Sequence, residues 1–263
     1  MKILYLILLM AATAPAALPG KTVEYDHAGI KFDGYLVQPA ASSSESKHPG
    51  VLVIPEWWGL NDYVKSRAQQ LAAMGYVAFV VDMYGGGVST TDAAKAKELA
   101  GPLYGNPEMA ARAAAGLDQL FKTGLVDPAK VAAIGFCFGG STCQALAYSG
   151  APLAGIVSFH GGLIQPTPDQ LKNVRCKFLM LNGAIDPTIK PEAVTSFMHA
   201  LDSAQIDYHF INYSGALHAF TNPEATDLGR KNGMSSVVGY NPTAARRSWQ
   251  QMKIFFDEIF QPM

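Results

Sequence analysis

The chain has 263 residues, of which 49% are apolar and 16% are charged, a composition typical of one globular domain with a substantial buried core. Its 20 basic and 21 acidic residues give a formal net charge of −1. There is no basic run, so charge gives no support for binding to nucleic acid or to an anionic membrane. No period of about 20–50 residues repeats, which argues against a solenoid or a propeller.

The first residues predict export. Met1-Lys2 precedes an apolar run, Ile3–Ala12, and small residues continue to Ala16, which is the pattern of a secretory signal peptide. The run is too short for a transmembrane helix, which needs ~20 apolar residues. We therefore predict a signal peptide over 1–16 and a single domain over 17–263, located in a periplasm or secreted and free of the membrane after cleavage. An uncleaved anchor or a buried first helix is the alternative.

The remaining chain alternates between β-rich and helical patterns. We predict an antiparallel pair of strands over 22–27 and 30–38, followed by strands over 50–55, 77–81, 131–135, 154–159, 177–181 and 206–213. We predict helices over 61–74, 91–100, 107–122, 139–148, 191–204 and 242–260. Strands separated by helices of this length indicate an α/β fold whose mostly parallel central sheet has helices on both faces. Such sheets bind ligands at the carboxyl ends of their strands. The segment 221–240 is predicted to be a lid or a loop.

The run Gly135-Phe136-Cys137-Phe138-Gly139-Gly140 lies between a predicted strand and a predicted helix. It matches the nucleophile elbow, Gly-x-nucleophile-x-Gly, with cysteine as the nucleophile. The glycines are needed because side chains two positions either side of the sharp turn collide with neighbouring backbone. The N–H groups at the following helix terminus favour a thiolate and a developing oxyanion. The alternative is a buried structural cysteine.

Two further residues complete a candidate catalytic triad. Asp186 lies in a loop 49 positions after Cys137, and His218 follows the last predicted strand 32 positions later. The order nucleophile, acid, histidine is the one this fold uses. His160 ends another strand and precedes Asp186, so we expect it to line the pocket and not to serve as the base. No Cys, His or Asp cluster has metal-ligand spacing, and no glycine-rich nucleotide fingerprint follows the first strand, so we predict no metal and no cofactor.

Five segments resemble the dienelactone hydrolase family, the carboxymethylenebutenolidase-like α/β-hydrolases, and the resemblance covers nearly the whole mature chain. The segments are Ile54–Asn61 with its Glu-Trp-Trp, Val81–Gly85 with its Asp-x-Tyr, Gly135–Gly140, Asn182–Asp186 and His218–Phe220. A cysteine nucleophile together with a glutamate on the loop after the third strand separates this family from ordinary serine esterases. The resemblance therefore implies an α/β-hydrolase fold and ester or lactone cleavage.

The resemblance also implies roles around the cysteine. Glu56 is expected near Cys137, where it takes part in activating the thiol: in the family the resting thiol is neutral, and substrate binding moves the glutamate. A carboxylate close to a thiolate raises a thiol pKa, so moving it away matters. The oxyanion hole is expected to use the backbone N–H groups of Phe138 and Trp57. The alternative for Glu56 is a solvated loop carboxylate.

Two arginines that grip the substrate carboxylate in dienelactone-cleaving members have no counterpart here. Gly85-Gly86-Gly87 follows Tyr84 and Thr221-Asn222 follows Phe220 where those arginines would stand. The expected substrate pocket is instead aromatic and suited to a neutral or aromatic ester, although these side chains could equally be packing residues. Its expected members are Trp57, Trp58, Tyr84, Phe138 and Phe220, with His160 beside them.

We therefore predict a monomeric hydrolase of a small ester or lactone that acts through Cys137, His218 and Asp186 and an acyl-thioester intermediate. Its partner is a small-molecule substrate, and no nucleic acid is expected. The alternatives are acyl transfer or thioesterase action at the same cysteine, a binding protein on a hydrolase scaffold, and redox sensing by Cys137. Cys143 and Cys176 either form a disulfide or are two buried thiols.

Overall fold

The computed structural model describes residues 18–40, 42 and 47–261, so the predicted signal peptide lies outside the described residues. Within these residues, eight strands form one sheet in the order β1-β2-β4-β3-β5-β6-β7-β8. They are β1 (Gly20–His27), β2 (Ile30–Val37), β3 (His48–Ile54), β4 (Val77–Val80), β5 (Val126–Phe136), β6 (Gly155–Phe159), β7 (Lys177–Gly183) and β8 (Tyr208–Tyr213).

The first two strands form a hairpin, and β2 also pairs antiparallel with β4. From β3 onward every neighbouring pair is parallel. The strand order changes direction between β3 and β5, because β4 lies on one side of β3 and β5 on the other. In parallel sheets such a reversal opens a crevice at the carboxyl ends of the strands. Glu56 follows β3 and Cys137 follows β5, so both lie at this crevice.

The helices lie on both faces of the sheet. They are α1 (Asp62–Ala73), α2 (Ala93–Ala100), α3 (Glu108–Lys122), α4 (Phe138–Tyr148), α5 (Pro168–Asn173), α6 (Pro191–Ser203), α7 (Ala225–Lys231) and α8 (Pro242–Phe260), with a single 3-10 turn at Gly101–Leu103. Asn61 begins α1, where its side chain accepts a hydrogen bond of 3.1 Å from the Val64 N–H, and Asn241 caps α8 in the same way. Such caps satisfy N–H groups that have no partner within the helix.

The core is divided in two by the sheet, as β3 illustrates. Leu52 and Ile54 pack with α3 and α4 on one face, and Val51 and Val53 pack with α1 and α8 on the other. All four side chains are completely buried. A strand buried on both faces is typical of a parallel sheet covered by helices, which confirms the predicted fold class.

The predicted elements agree with the observed ones to within a few residues, except at three places. Strand β5 begins at Val126, earlier than predicted, and the short helices α5 and α7 were not predicted. Helix α7 lies within the segment 221–240, which was predicted to be a lid or a loop. Both missed helices are shorter than two full turns, and α7 contains Gly229, so neither has a strong periodic pattern. In the described part of the chain, no helix is long and apolar enough to cross a membrane.

Candidate active site

Cys137 occupies a strained turn between β5 and α4. Its φ is 53° and its ψ is −114°, a region that few residues other than glycine adopt. A Cβ at Gly135 would lie 2.0 Å from the Gly139 carbonyl oxygen, and one at Gly139 would lie 2.2 Å from the Ile54 carbonyl oxygen. Only glycine fits at either position. The turn therefore has the geometry of the predicted nucleophile elbow.

Two residues predicted for the site, His218 and Asp186, are hydrogen-bonded to each other. The His218 Nδ1 lies 2.7 Å from the Asp186 Oδ2. Thr188 donates to the other carboxylate oxygen, Oδ1, from its hydroxyl at 2.6 Å and from its N–H at 2.9 Å. Burial opposes ionisation of Asp186, but the hydrogen bonds from His218 and Thr188 outweigh it and hold its pKa below the ordinary value.

The charge state of His218 depends on its two neighbours. Burial alone would lower the pKa of His218, but the nearby Cys137, as a negative charge, and the Asp186 carboxylate raise it well above the ordinary value. A histidine held between a thiol and a carboxylate can accept the thiol proton and keep it as an imidazolium. The arrangement is therefore able to form a thiolate–imidazolium pair.

The segment after α7 fixes the main chain of His218. The His218 N–H donates to the Val237 carbonyl at 3.0 Å, and the Gly239 N–H donates to the His218 carbonyl at 3.1 Å. The next residue, Ala219, has a φ of 58°. The segment 221–240 therefore supports the histidine loop and closes one side of the cavity described below.

Glu56 is buried, with 2% of its surface exposed. Its Oε2 accepts a hydrogen bond of 2.6 Å from the Asn222 side-chain amide, and its Oε1 has no hydrogen-bond partner among the described residues. Burial raises the pKa of Glu56 to about 7, although the bond from Asn222 and the nearby His218 act in the opposite direction. Glu56 shares a cavity with Cys137, and its observed hydrogen bond goes to Asn222 and not to the thiol.

The two expected oxyanion-hole N–H groups have no hydrogen-bond acceptor among the described residues. The Phe138 N–H stands at the start of α4, and the Trp57 N–H follows Glu56; in the described residues neither makes an internal hydrogen bond. The Tyr84 hydroxyl donates to the Trp57 carbonyl at 3.0 Å, which restrains the next peptide unit along the chain. Both donors thus remain free to bind an oxygen that develops negative charge.

A cavity of about 500 Å³ opens above Cys137. Its walls are mostly apolar and include the expected Trp57 and Trp58, with Lys97 as the cationic side chain. The lining residues are Glu56, Trp57, Trp58, Lys97, Ala100, Gly101, Tyr104, Cys137, Gly162, Thr188, His218, Ala219, Ala225, Leu228, Met234, Val237 and Val238.

Four residues expected in the pocket do not line this cavity, which corrects the prediction: His160, Phe220, Phe138 and Tyr84. His160 and Phe220 are completely buried, and their rings pack against each other at 5.1 Å between centroids. Tyr84 is half-buried beside Phe138, with ring centroids 6.1 Å apart, and its hydroxyl is engaged by the Trp57 carbonyl. Their positions near strand ends indicated that these side chains lie near the site. Those positions did not show whether a side chain lines the cavity or packs behind its lining.

Three polar residues of the site were not predicted as members: Thr188, Thr221 and Asn222. Thr188 lies two positions after Asp186, so a hydroxyl next to the acid was a local signal that could have been read. Thr221 and Asn222 contact His160 and Glu56 at 2.6 Å each, across 61 and 166 positions of sequence. No local pattern indicates contacts of that range.

Cys143 and Cys176 are free thiols, and both are buried. Burial raises the pKa of the Cys143 thiol and raises that of Cys176 to about 12. Cys137, which lines the cavity, is therefore the accessible thiol among the three. Over the residues described, no three His, Cys, Asp or Glu side chains are grouped so that they could hold a metal ion.

Comparisons with known proteins give consistent results. The model of the dienelactone hydrolase family matches residues 32–260. Protein usf of Aquifex pyrophilus is 28% identical over 246 residues, which cover 91% of this chain and 98% of that protein. A dienelactone hydrolase-like promiscuous phosphotriesterase from metagenomic libraries is 36% identical and superimposes with a TM-score of 0.87, covering 93% of this chain and 100% of its own. The structure named m3DLH is also 36% identical, with a TM-score of 0.86 and the same coverage.

Proposed function

Because the chain belongs to the dienelactone hydrolase family and is a carboxylic ester hydrolase with the α/β-hydrolase fold, we propose that it cleaves a small ester or lactone through Cys137, His218 and Asp186. The observation that carries this proposal is Cys137 in a strained elbow beside a His218–Asp186 pair 2.7 Å apart, at the floor of an apolar cavity. The pairing supplies a nucleophile, a base and an orienting acid.

The first half of the reaction forms a thioester. The Cys137 thiol gives its proton to His218, and the sulfur attacks the substrate carbonyl carbon. The carbonyl oxygen becomes an oxyanion held by the N–H groups of Phe138 and Trp57, each worth roughly 3–4 kcal/mol. The carbon–oxygen bond then breaks, His218 returns the proton to the leaving alkoxide, and the acyl group remains on sulfur.

The second half regenerates the enzyme. His218, oriented by Asp186, removes a proton from water as the water oxygen attacks the thioester carbonyl. Collapse of the second tetrahedral intermediate breaks the carbon–sulfur bond, releases the carboxylic acid and returns the thiol. Transfer of the same acyl group to an acceptor other than water remains the alternative, and product analysis with a competing alcohol distinguishes the two outcomes.

The substrate proposed for this site is a neutral or aromatic ester. Trp57, Trp58, Leu228 and Met234 supply apolar walls, and such walls favour apolar groups positioned by a few polar contacts. The position after Phe220 where the dienelactone-cleaving members have an arginine is taken by Thr221-Asn222, and Asn222 is engaged with Glu56. The arginine that binds the substrate carboxylate in those members therefore has no counterpart at this position.

Glu56 is proposed to regulate the thiol through this contact. With a pKa raised to about 7 by burial, the carboxyl group changes charge close to neutral pH, next to the Cys137–His218 pair. Its hydrogen bond to Asn222 draws it toward the 221–222 segment and limits its approach to sulfur. A thiolate near a charged carboxylate is disfavoured, so this restraint supports formation of the thiolate.

The test is hydrolysis of a series of p-nitrophenyl esters, from acetate to longer and aromatic acyl groups, by the parent, Cys137→Ala and Cys137→Ser. The proposal predicts activity in the parent and a loss of at least about a thousandfold in Cys137→Ala. Cys143→Ala serves as the control, because that thiol is buried away from the cavity. Equal hydrolysis by the parent and Cys137→Ala contradicts the proposed nucleophile.

A second candidate activity is phosphotriester hydrolysis at the same cysteine. It is supported by the 36% identity to the dienelactone hydrolase-like promiscuous phosphotriesterase and by a cavity of about 500 Å³ with apolar walls, which suits a bulky uncharged ester. Release of p-nitrophenol from diethyl p-nitrophenyl phosphate tests it. Loss of that release in Cys137→Ala supports the activity, and no release by the parent rejects it.

We also propose that the protein is exported and monomeric. The charged start, the short apolar run and the small residues over 1–16 support export. Amino-terminal sequencing of the protein recovered from its native host tests cleavage near Ala16, and sedimentation of the mature protein tests the monomer. An intact amino terminus in a cytoplasmic fraction would contradict export.

A further inference from the structure

A second histidine, His160, contacts the candidate nucleophile from behind and has no part in the reaction proposed above. It follows β6, is completely buried and does not line the cavity. Its Nδ1 lies 3.1 Å from the Cys137 nitrogen, and the Cys137 N–H is shared with the Phe159 carbonyl at 3.0 Å. His160 therefore contacts the main chain of the elbow itself.

These contacts fix the tautomer of His160. Because the Cys137 N–H donates to Nδ1, that nitrogen carries no hydrogen, and the hydrogen is on Nε2. Nε2 then donates to the Thr221 hydroxyl at 2.6 Å, which also shares a hydrogen bond of 2.7 Å with the Tyr63 hydroxyl. The Arg67 guanidinium on α1 donates to the Thr221 carbonyl at 2.8 Å. A continuous set of hydrogen bonds thus links α1, the segment after His218 and the Cys137 elbow.

The backbone at His160 is held in an unfavourable conformation. Its φ is 42°, in the left-handed region that a buried residue with a side chain rarely adopts. The His160 N–H donates to the Leu181 carbonyl at 2.8 Å, which holds it there. Cys137 and Ala219 also have positive φ, so three strained positions surround the site. Strain of this kind persists where the surrounding structure over-determines it, and it clusters at functional sites.

A neutral His160 is required by its surroundings. The titratable and charged groups that face it are Cys137, His218, Tyr63 and Arg67. Burial, together with the positive charges of His218 and Arg67, lowers the pKa of His160 well below its ordinary value. Protonation would turn Nδ1 into a donor facing the Cys137 N–H and would place a charge beside the His218 ring, whose centroid is 5.4 Å away.

We propose that His160 is a positioning residue whose neutral imidazole holds the Cys137 main chain in its elbow conformation and couples it, through Thr221, to the segment that carries His218. The inference rests on the proposed role of Cys137 as the nucleophile. Since His160 does not reach the cavity, its loss changes the chemical step and not the binding of substrate. We therefore expect kcat to fall while KM stays within about twofold.

Three variants separate the hydrogen bond to Cys137 from the other contributions of His160. His160→Asn keeps an acceptor oxygen at the position of Nδ1, His160→Gln offers a polar group near the position of Nε2, and His160→Gly relieves the backbone strain without any acceptor. Asparagine tolerates positive φ better than most residues, so the glycine variant is the control for the backbone.

The measurements are kcat and KM with p-nitrophenyl acetate and the rate of alkylation by iodoacetamide across pH. Cys143 and Cys176 are buried, so the reaction reports on Cys137. We expect His160→Asn, which keeps the acceptor for the Cys137 N–H but lacks the bond to Thr221, to lose about fivefold in kcat and in alkylation rate. We expect His160→Gln and His160→Gly to lose at least about twentyfold. Equal rates in all three variants, or a glycine or glutamine variant as active as the asparagine variant, would overturn the proposal.

A second pair of variants decides the matter if the His160 variants do not fold. Thr221→Ser keeps the hydroxyl that accepts from Nε2, and Thr221→Val removes it at similar volume. We expect Thr221→Ser to match the parent and Thr221→Val to lose kcat by about fivefold; equal kcat in both would overturn the coupling. Failure of the proposed function gives a different result, namely ester hydrolysis that survives Cys137→Ala.

Discussion

The two histidines beside Cys137 have opposite surroundings although their rings lie only 5.4 Å apart. His218 faces the cavity and pairs with the Asp186 carboxylate at 2.7 Å, and its pKa is raised. His160 is sealed behind the cavity and pairs with the uncharged Thr221 hydroxyl, and its pKa is lowered, first of all by burial. One imidazole is suited to hold a proton and the other to remain neutral.

The difference shows how the fold can place two histidines next to one thiol and still give them different charge states. The partner of each ring nitrogen decides the charge: a carboxylate stabilises an imidazolium, and a hydroxyl within a buried network does not. Both rings belong to or bind the same segment, because His218 lies in it and His160 is hydrogen-bonded to Thr221, three positions after His218. Substitutions on each side of Cys137 therefore give distinct expected effects.

The largest effect is expected from removing the charge on the His218 side. Asp186→Asn leaves the geometry nearly unchanged but loses the carboxylate, so kcat for p-nitrophenyl acetate should fall by about a thousandfold or more. The alkaline limb of the alkylation profile, where His218 loses its proton, should move to lower pH because the pKa of His218 is no longer raised by Asp186. Asp118→Asn on the exposed face of α3 is the control. If Asp186→Asn kept a kcat within tenfold of the parent, the role assigned to the Asp186 carboxylate would be contradicted.

The next effect concerns the pH dependence of stability at Glu56. Burial raises the pKa of Glu56 from 4.5 to about 7, so the folded state binds a proton more tightly than the unfolded state. This group's contribution is fully present below about pH 4.5 and is lost as pH rises toward 7, by up to about 3 kcal/mol. Glu56→Gln should therefore gain stability relative to the parent between pH 4.5 and pH 8.

Urea unfolding of the parent and of Glu56→Gln at pH 4.5 and at pH 8 measures that gain in the free energy of unfolding. The control is Glu192→Gln at the exposed start of α6, which removes a carboxylate that does not line the cavity. If Glu56→Gln and Glu192→Gln behave alike, the Glu56 carboxyl group is not a strongly perturbed site.

A smaller effect is expected at Thr188, whose hydroxyl supports the Asp186 carboxylate on the His218 side. Thr188→Val removes the hydrogen bond of 2.6 Å to the Asp186 carboxylate, so the carboxylate loses part of the support that keeps it charged. We expect kcat/KM at pH 6 to fall by about two- to tenfold, while Thr188→Ser matches the parent. An undiminished Thr188→Val would show that the N–H of residue 188 and His218 suffice to orient Asp186.

The smallest effect is expected on the His160 side, at Ser158 in β6. Its hydroxyl is buried and has no hydrogen-bond partner among the described residues. Ser158→Ala should leave the free energy of unfolding unchanged or raise it by up to about 1 kcal/mol. Ser141→Ala is the matched comparison, because the Ser141 hydroxyl donates to the Gly162 carbonyl at 3.0 Å; it should lose about 1 kcal/mol. A larger loss in Ser158→Ala than in Ser141→Ala would contradict this assignment.

The sequence predicted those features that depend on local constraints. Helix α8 was predicted with the observed bounds, because its Asn-Pro start and its amphipathic pattern are contiguous. The elbow was predicted because the glycine spacing reflects close backbone approaches at positions 135 and 139. Asp186 and His218 were predicted because the ends of successive parallel strands meet at one edge of a sheet.

The features that escaped prediction depend on packing between distant segments. His160 was expected in the pocket, and only the contacts with Thr221 and Cys137 reveal that its ring is turned away and sealed. In the sequence, Asn222 stood out only because it lies where an arginine was expected. Its hydrogen bond to Glu56 joins residues 166 positions apart. Neither contact has a periodicity or a local motif that a single sequence could display.

The most direct test of the account is to trap the acyl group on the enzyme. The mature protein would be mixed with p-nitrophenyl acetate, quenched in acid within milliseconds, and examined by intact mass and peptide mapping, beside Cys137→Ala. The account predicts a burst of p-nitrophenol and one acetyl group on Cys137 in the parent, with neither in the variant. An acetyl group on another residue, or turnover without a burst that continues equally in Cys137→Ala, would contradict the acyl-thioester route.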